Sequence, residues 1–220
     1  MLTVSLIAVT LMGSQPTPSF DCARARSETE IAICSDRDLA TLDRRLAEAY
    51  ARARSRLSNA GRAALVEDQR IFLRVRDASF SDRDQPWMEG FPNLSARIGS
   101  RIALLDRIES RADGVWVGAW ANEAGAIHIK GAVDGRLRAE LSAAEPLNGR
   151  WICQTTITGR VENGRLHQGA QRSGNPAISL EVRQGVLIVR EIWPDAEGGQ
   201  PDYCGHNGGL EGRYFSVRGD

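Results

Sequence analysis

The residues able to do chemistry are few and scattered. His128, His167 and His206 stand singly, without the closely spaced His, Cys or carboxylate partners that a metal site needs, and His-Glu-x-x-His does not occur. Gly-x-Ser-x-Gly is missing, and Ser-x-x-Lys cannot form, because the only lysine, Lys130, has Ile127 three residues before it. Gly205, Gly208, Gly209 and Gly212 do not follow the Gly-x-Gly-x-x-Gly spacing and join no strand to a helix, which argues against a phosphate cradle. Any pair of the 28 acids could converge in space as a glycosidase-like dyad, but the sequence singles none out. No catalytic residue, metal or cofactor is expected.

One segment differs from the rest. Glu191, Asp195, Glu197, Asp202 and Glu211 fall between residues 191 and 212 with no Arg or Lys, and Trp193, Tyr203 and His206 lie among them. Acids steer a basic partner and aromatic side chains anchor it, so these eight residues are the candidate partner-binding set. The plainer reading is a solvated hairpin connection in which Trp193 and Tyr203 cap the domain beneath.

The elements that must hold this loop are legible from glycine. Residues 114–220 contain 18 of the 22 glycines, whereas 20–113 contain three. The first half is therefore expected to be helical and the second to consist of strands and turns. Ser27-Glu28-Thr29-Glu30 fits a capping box, opening a short helix that ends near Cys34. Ser35 or Asp36 then caps a second helix with Leu39, Leu42, Leu46, Tyr50, Ala53 and Leu57 as its apolar stripe. A third carries Leu65, Phe72 and Leu73, and a fourth is expected from about Leu94 to Arg111. From Val115 the period changes to two, as in Val115–Trp120 and Ala126–Lys130, and seven or eight short strands are expected. Among them Trp151–Val161 reads as one strand, and the turns include Asp134-Gly135, Asn148-Gly149, Asn163-Gly164 and Gln184-Gly185. The expectation is an α+β chain: an antiparallel helical bundle over 20–113, then a small antiparallel β barrel or sandwich over 114–220.

Composition sets limits on function. The 28 basic and 28 acidic side chains cancel, and each half is nearly balanced by itself, which excludes bulk attraction to nucleic acid or to anionic membranes. Leu2–Met12 is apolar and shorter than the about 20 residues a membrane span needs, so residues 1–19 read as a signal peptide and spacer. Four cysteines at spacings that match no zinc or haem site suit two disulfides in an oxidising compartment, periplasmic or extracellular. Of the three possible connectivities, Cys22 with Cys34 and Cys153 with Cys204 staples each half separately.

A resemblance rests on specific residues. Phe20-Asp21-Cys22-Ala23-x-Ala25, Glu30-x-Ala32-Ile33-Cys34-Ser35-Asp36, Leu39-Ala40-x-Leu42-Asp43 and Leu46-x-x-Ala49-Tyr50 resemble the opening of the LprI-type N-terminal domain. The later run Asp68-Gln69-Arg70-x-Phe72-Leu73-x-x-Arg76-Asp77-Ala78 is similar to it as well, so the likeness covers roughly Phe20 to Arg111. Cys22 and Cys34 occupy the positions that resemble the family's first disulfide. Many members carry a second bridge where this chain has Ser79-Phe80 and Asn93-Leu94, and Phe80 is expected to substitute by packing. The lipid-anchoring cysteine of the family's name-giving member is missing too, which implies no stable membrane anchor.

The resemblance implies an exported bacterial protein, with lysozyme as partner, acting without chemistry by occupying the enzyme's cleft. His206, in an acidic loop facing a basic lysozyme, would be analogous to the inserted loops of unrelated inhibitors. Two alternatives remain open. One is a periplasmic scaffold or adaptor that binds another envelope protein or a glycan. The other is a hydrolase whose carboxylates meet only in space.

Overall fold

A computed structural model describes residues 17–132, 134–169, 175–194 and 199–219. The proposed signal segment therefore lies outside the described residues, apart from its last three positions.

Four helices form first: α1 (Glu28–Ser35), α2 (Arg37–Arg56), α3 (Asn59–Ser81) and α4 (Leu94–Arg107). Each begins at a side-chain cap. Ser27 and Glu30 make the reciprocal capping box of α1, and Asp36, Ser58 and Asn93 accept first-turn amides of the other three. Cys22 and Cys34 are bonded, so the bridge ties the chain ahead of α1 to its last turn. Leu46, Ala53, Leu57, Leu65 and Phe72 are buried with Ile98, Ile102 and Leu105 of α4. Phe80 packs at the edge of this cluster with Arg83 stacked over its ring.

Helix α4 is shorter than its apolar spacing predicts. It ends at Arg107 because Ile108 turns extended, with φ −60° and ψ 130°, and bridges Val217. Glu109 N–H then donates to Ser216 O, and Arg218 N–H to Arg107 O. Tertiary pairing therefore claims the residues that would have made a last helical turn.

Nine antiparallel strands follow among the described residues: β1 (Gly118–Ala121), β2 (Gly125–Gly131), β3 (Leu137–Ala144), β4 (Ile152–Gly159), β5 (Val161–Glu162), β6 (Arg165–Gln168), β7 (Ala177–Arg183), β8 (Val186–Ile192) and β9 (Gly212–Val217). Their order, β4-β3-β2-β1-β9-β8-β7-β6-β5, curls the sheet into a nearly closed barrel. Gly159 of β4 meets Leu166 of β6 at the closing seam, where a Cβ would stand 3.1 Å from the leucine side chain. The segment expected as one strand over Trp151–Val161 breaks at Arg160, leaving β5 as a two-residue hairpin arm. Asn163-Gly164 and Gln184-Gly185 both have positive φ at both positions, as a two-residue type I′ turn demands.

The first strand begins three residues later than its alternation suggests. The Arg111 guanidinium donates to Val117 O, and Gly118, at φ +135°, sits against that guanidinium where a Cβ would collide with it. Val115 and Val117 stay exposed, whereas Trp116 turns inward and its carbonyl accepts the Trp120 indole N–H.

The two halves share a core. Trp120 of β1 and Tyr214 of β9 fill the barrel, while their neighbours Ala121, Phe215 and Val217 face the opposite way into the helical cluster. β1 and β9 are thus buried on both faces, with the bundle lying across the outside of the barrel.

Candidate functional site

The connection between β8 and β9 carries the residues singled out in sequence. It crosses to the outer edge of β4, where Gln154 N–H donates to Tyr203 O and Gly205 N–H donates to Ile152 O. Cys204 is bonded there to Cys153. Gly208 has to be glycine, because a Cβ would stand 2.9 Å from the Cys153 sulfur. Gln200 braces the turn: its amide nitrogen donates to Cys204 O and Gly205 O, and its oxygen accepts Asn207 N–H. The loop is therefore built by its own polar groups and pinned to the barrel rim.

This construction sorts the eight candidates. Glu191 turns inward, and its Oε1 accepts the Tyr203 hydroxyl at 2.7 Å and Leu210 N–H at 3.0 Å. Burial, and next the hydrogen bond to Glu191, push the Tyr203 phenol well above its ordinary range, so it stays a neutral donor. The Trp193 ring rests on Gly199. Asp202 and Glu211 are exposed, with Asp202 N–H held by Asn175 and Glu211 accepting Glu191 N–H. His206 is exposed at the loop's far end. Asp195 and Glu197 lie outside the described residues. The loop thus presents Asp202, Glu211 and His206 to solvent and keeps Glu191 and Tyr203 as internal struts. His128 and His167 are exposed on β2 and β6, far apart in the sheet order.

A second constellation escaped the sequence reading. Arg101 of α4, with a wholly buried side chain, donates Nη1 to Asp68 Oδ2 at 2.7 Å and to Glu123 Oε2 at 3.2 Å, and Nε to Gln69 Oε1. Its guanidinium carbon lies 5.4 Å from the Phe72 ring centre. Asp68 Oδ1 accepts Glu123 N–H, so one carboxylate of α3 holds both α4 and the β1–β2 turn. Burial raises the Glu123 carboxyl to about 7, reinforced by the Asp68 charge and opposed by Arg101 and Arg97. Asp68, Gln69, Phe72 and Arg76 belong to the run from Asp68 to Ala78 that carries the family resemblance. Arg101 and Glu123 had no local signal, since their partners lie 22 to 55 residues away.

Crevices open on either side of the β1–β2 turn. The larger, about 410 Å³, runs between α3 and strands β8 and β9, with Glu67, Glu211, Arg190 and Arg213 on its walls. The smaller lies over Phe72 and Arg101. Asp68 and Glu123 are clamped on one guanidinium rather than facing each other across open space, so they act as ligands of an arginine. Among the described residues no group of His, Cys, Asp and Glu could hold a metal ion, and no helix is long and apolar enough to cross a membrane.

Residues 22–112 match the family described as lysozyme inhibitor LprI. The match spans the four helices and the linker that pairs with β9. None of the curated proteins or solved structures compared with the chain matches it.

Proposed function

From the premise that residues 22–112 form an LprI-type domain, we propose that this protein is an exported, non-enzymatic binding protein that inhibits a lysozyme by occupying its substrate cleft. The family match is the observation that carries this reading. Two disulfides, both formed, suit a periplasmic or secreted protein. Asp202, Glu211 and His206, exposed on a cross-linked loop, supply an acidic surface for a basic enzyme, with Asp195 and Glu197 adjoining in sequence. The matched segment and this loop belong to different halves, so the contact surface needs its own test.

Purified protein titrated into a turbidity assay with animal, goose and invertebrate-type lysozymes should slow lysis, and less so after reduction. Absence of inhibition and binding with all three classes would remove the reading. The double variant Asp202→Lys/Glu211→Lys should slow association and flatten its salt dependence. Unchanged kinetics would move the contact surface to the bundle.

A second reading, an adaptor for another envelope protein, is favoured by the exposure of Trp87 and Phe91 on the bundle. A pull-down from periplasmic extract that recovers a non-lysozyme partner, lost in Trp87→Ser, would support it over inhibition.

A further inference from the structure

Between α3, α4 and the β1–β2 turn lies a crevice of about 210 Å³. Phe72 and Leu104 give it apolar walls, and Arg97, Arg101 and Glu123 bring charge to it. Arg101 uses three of its donors, through Nε to Gln69 and through Nη1 to Asp68 and Glu123. Its Nη2 is buried and has no hydrogen-bond partner among the described residues. An arginine carries five N–H donors, and leaving two of them dry in the interior is unfavourable unless something supplies acceptors.

The charge around that nitrogen points to the class of acceptor. Among the described residues Arg97 bonds only neutral oxygens, those of the Ser79 hydroxyl and the Pro146 and Leu147 carbonyls. Burial lowers its pKa. Arg76, also on the wall, pairs with Asp77. Glu145, which acts on Arg97 from beyond the wall, is held by the amides of Leu147 and Asn148. Among the described residues lining the crevice and their ion-pair partners, Arg76, Arg97 and Arg101 balance Asp68, Asp77 and ionised Glu123. Protonation of Glu123 leaves one positive charge unmatched.

We propose that this crevice binds a small monocarboxylate with an apolar body, its carboxylate on the unpartnered Nη2 of Arg101 and its body against Phe72 and Leu104. A carboxylate oxygen accepts a charge-assisted hydrogen bond from Nη2, and its single charge restores neutrality. A dianion would leave excess negative charge beside Asp68. Glu123 is neutral below about pH 7, and its ionised form repels the bound carboxylate, so the ligand is taken up together with a proton. The site is independent of lysozyme inhibition, and neither reading falls with the other.

The test is an NMR titration of the full chain with benzoate, with benzamide as its neutral isostere and inorganic phosphate as a competing anion. Benzoate should shift Phe72 and Ser100 saturably, with a dissociation constant of roughly a millimolar at pH 6. At pH 8 only about a tenth of Glu123 carries a proton, so the affinity should fall about tenfold. Glu123→Gln should bind benzoate equally at both pH values. Ser100→Phe, at an exposed position on the rim, should abolish the shifts and keep the native spectrum. Three results overturn the proposal: no saturable shift at Phe72; phosphate or benzamide binding as well as benzoate, which marks an adventitious ion only or mere apolar contact; or a pH dependence that survives in Glu123→Gln.

Discussion

Arg101 and Asp68 meet at 2.7 Å across the seam between α4 and α3, the guanidinium side chain wholly buried and the carboxylate 7% exposed. Asp68 also receives the Glu123 amide, so the pair joins two helices to the barrel through one carboxylate. Buried ion pairs contribute little net stability against an apolar replacement, but removing one partner strands the other.

Asp68→Ala should therefore destabilise the chain by about 3–5 kcal/mol, measured as a fall in the urea midpoint. Asp68→Leu combined with Arg101→Met should cost clearly less than the sum of the single changes. Additive losses would show that the two side chains do not act as a unit.

Glu123 makes stability depend on pH in the direction opposite to an ordinary salt-bridged acid. Its folded pKa of about 7 lies above the ordinary 4.5, so between those values the folded chain holds a proton that the unfolded chain has lost. Stability at this site is greatest below pH 4.5, falls as pH rises through the window, and is constant above it. The integrated loss is on the order of 3 kcal/mol. Glu123→Gln should flatten this part of the profile, so its denaturation midpoint relative to the parent should rise between pH 5 and pH 8. Parallel profiles would refute the assignment.

The two disulfides should differ in weight. They span sequence separations of 12 and 51 residues, and loop-closure entropy gives about 3 and about 4 kcal/mol for them. Cys153→Ala/Cys204→Ala should also speed hydrogen exchange at the Gln154 and Gly205 amides, which bond across the same edge. Retained protection at both amides would mean that the Gln200 hydrogen bonds hold the loop by themselves.

Phe215 lies in the last strand yet is fully buried against the helices. Phe215→Ala should cost about 3–5 kcal/mol. Helical and aromatic circular dichroism signals should then shift together on heating, because the damaged core is common to both halves. A bundle that melts separately at an unchanged temperature would contradict this shared core.

The acidic loop shows how far residue type alone can be read. Charge pattern sets the segment apart, but it treats Glu191 and Asp202 alike. Whether an acid faces solvent depends on a neighbour such as Tyr203 arriving from the other end of the loop, and charge pattern does not encode that.

The features legible from residue order were local ones. Ser27 and Glu30, Asp36, and Asn163-Gly164 act through hydrogen bonds or dihedral preferences that reach four residues or fewer, and the helices and turns they mark are where they should be. Half-by-half cysteine pairing was one of three legible options, and the family motif placed the bundle. Only the tertiary structure decided where α4 stops, that β1 and β9 are buried on both faces, and that Asp68, Arg101 and Glu123 converge. Those outcomes rest on strand register and on packing between elements tens of residues apart. Period-two alternation says that a strand has two faces; it does not say what will cover the second.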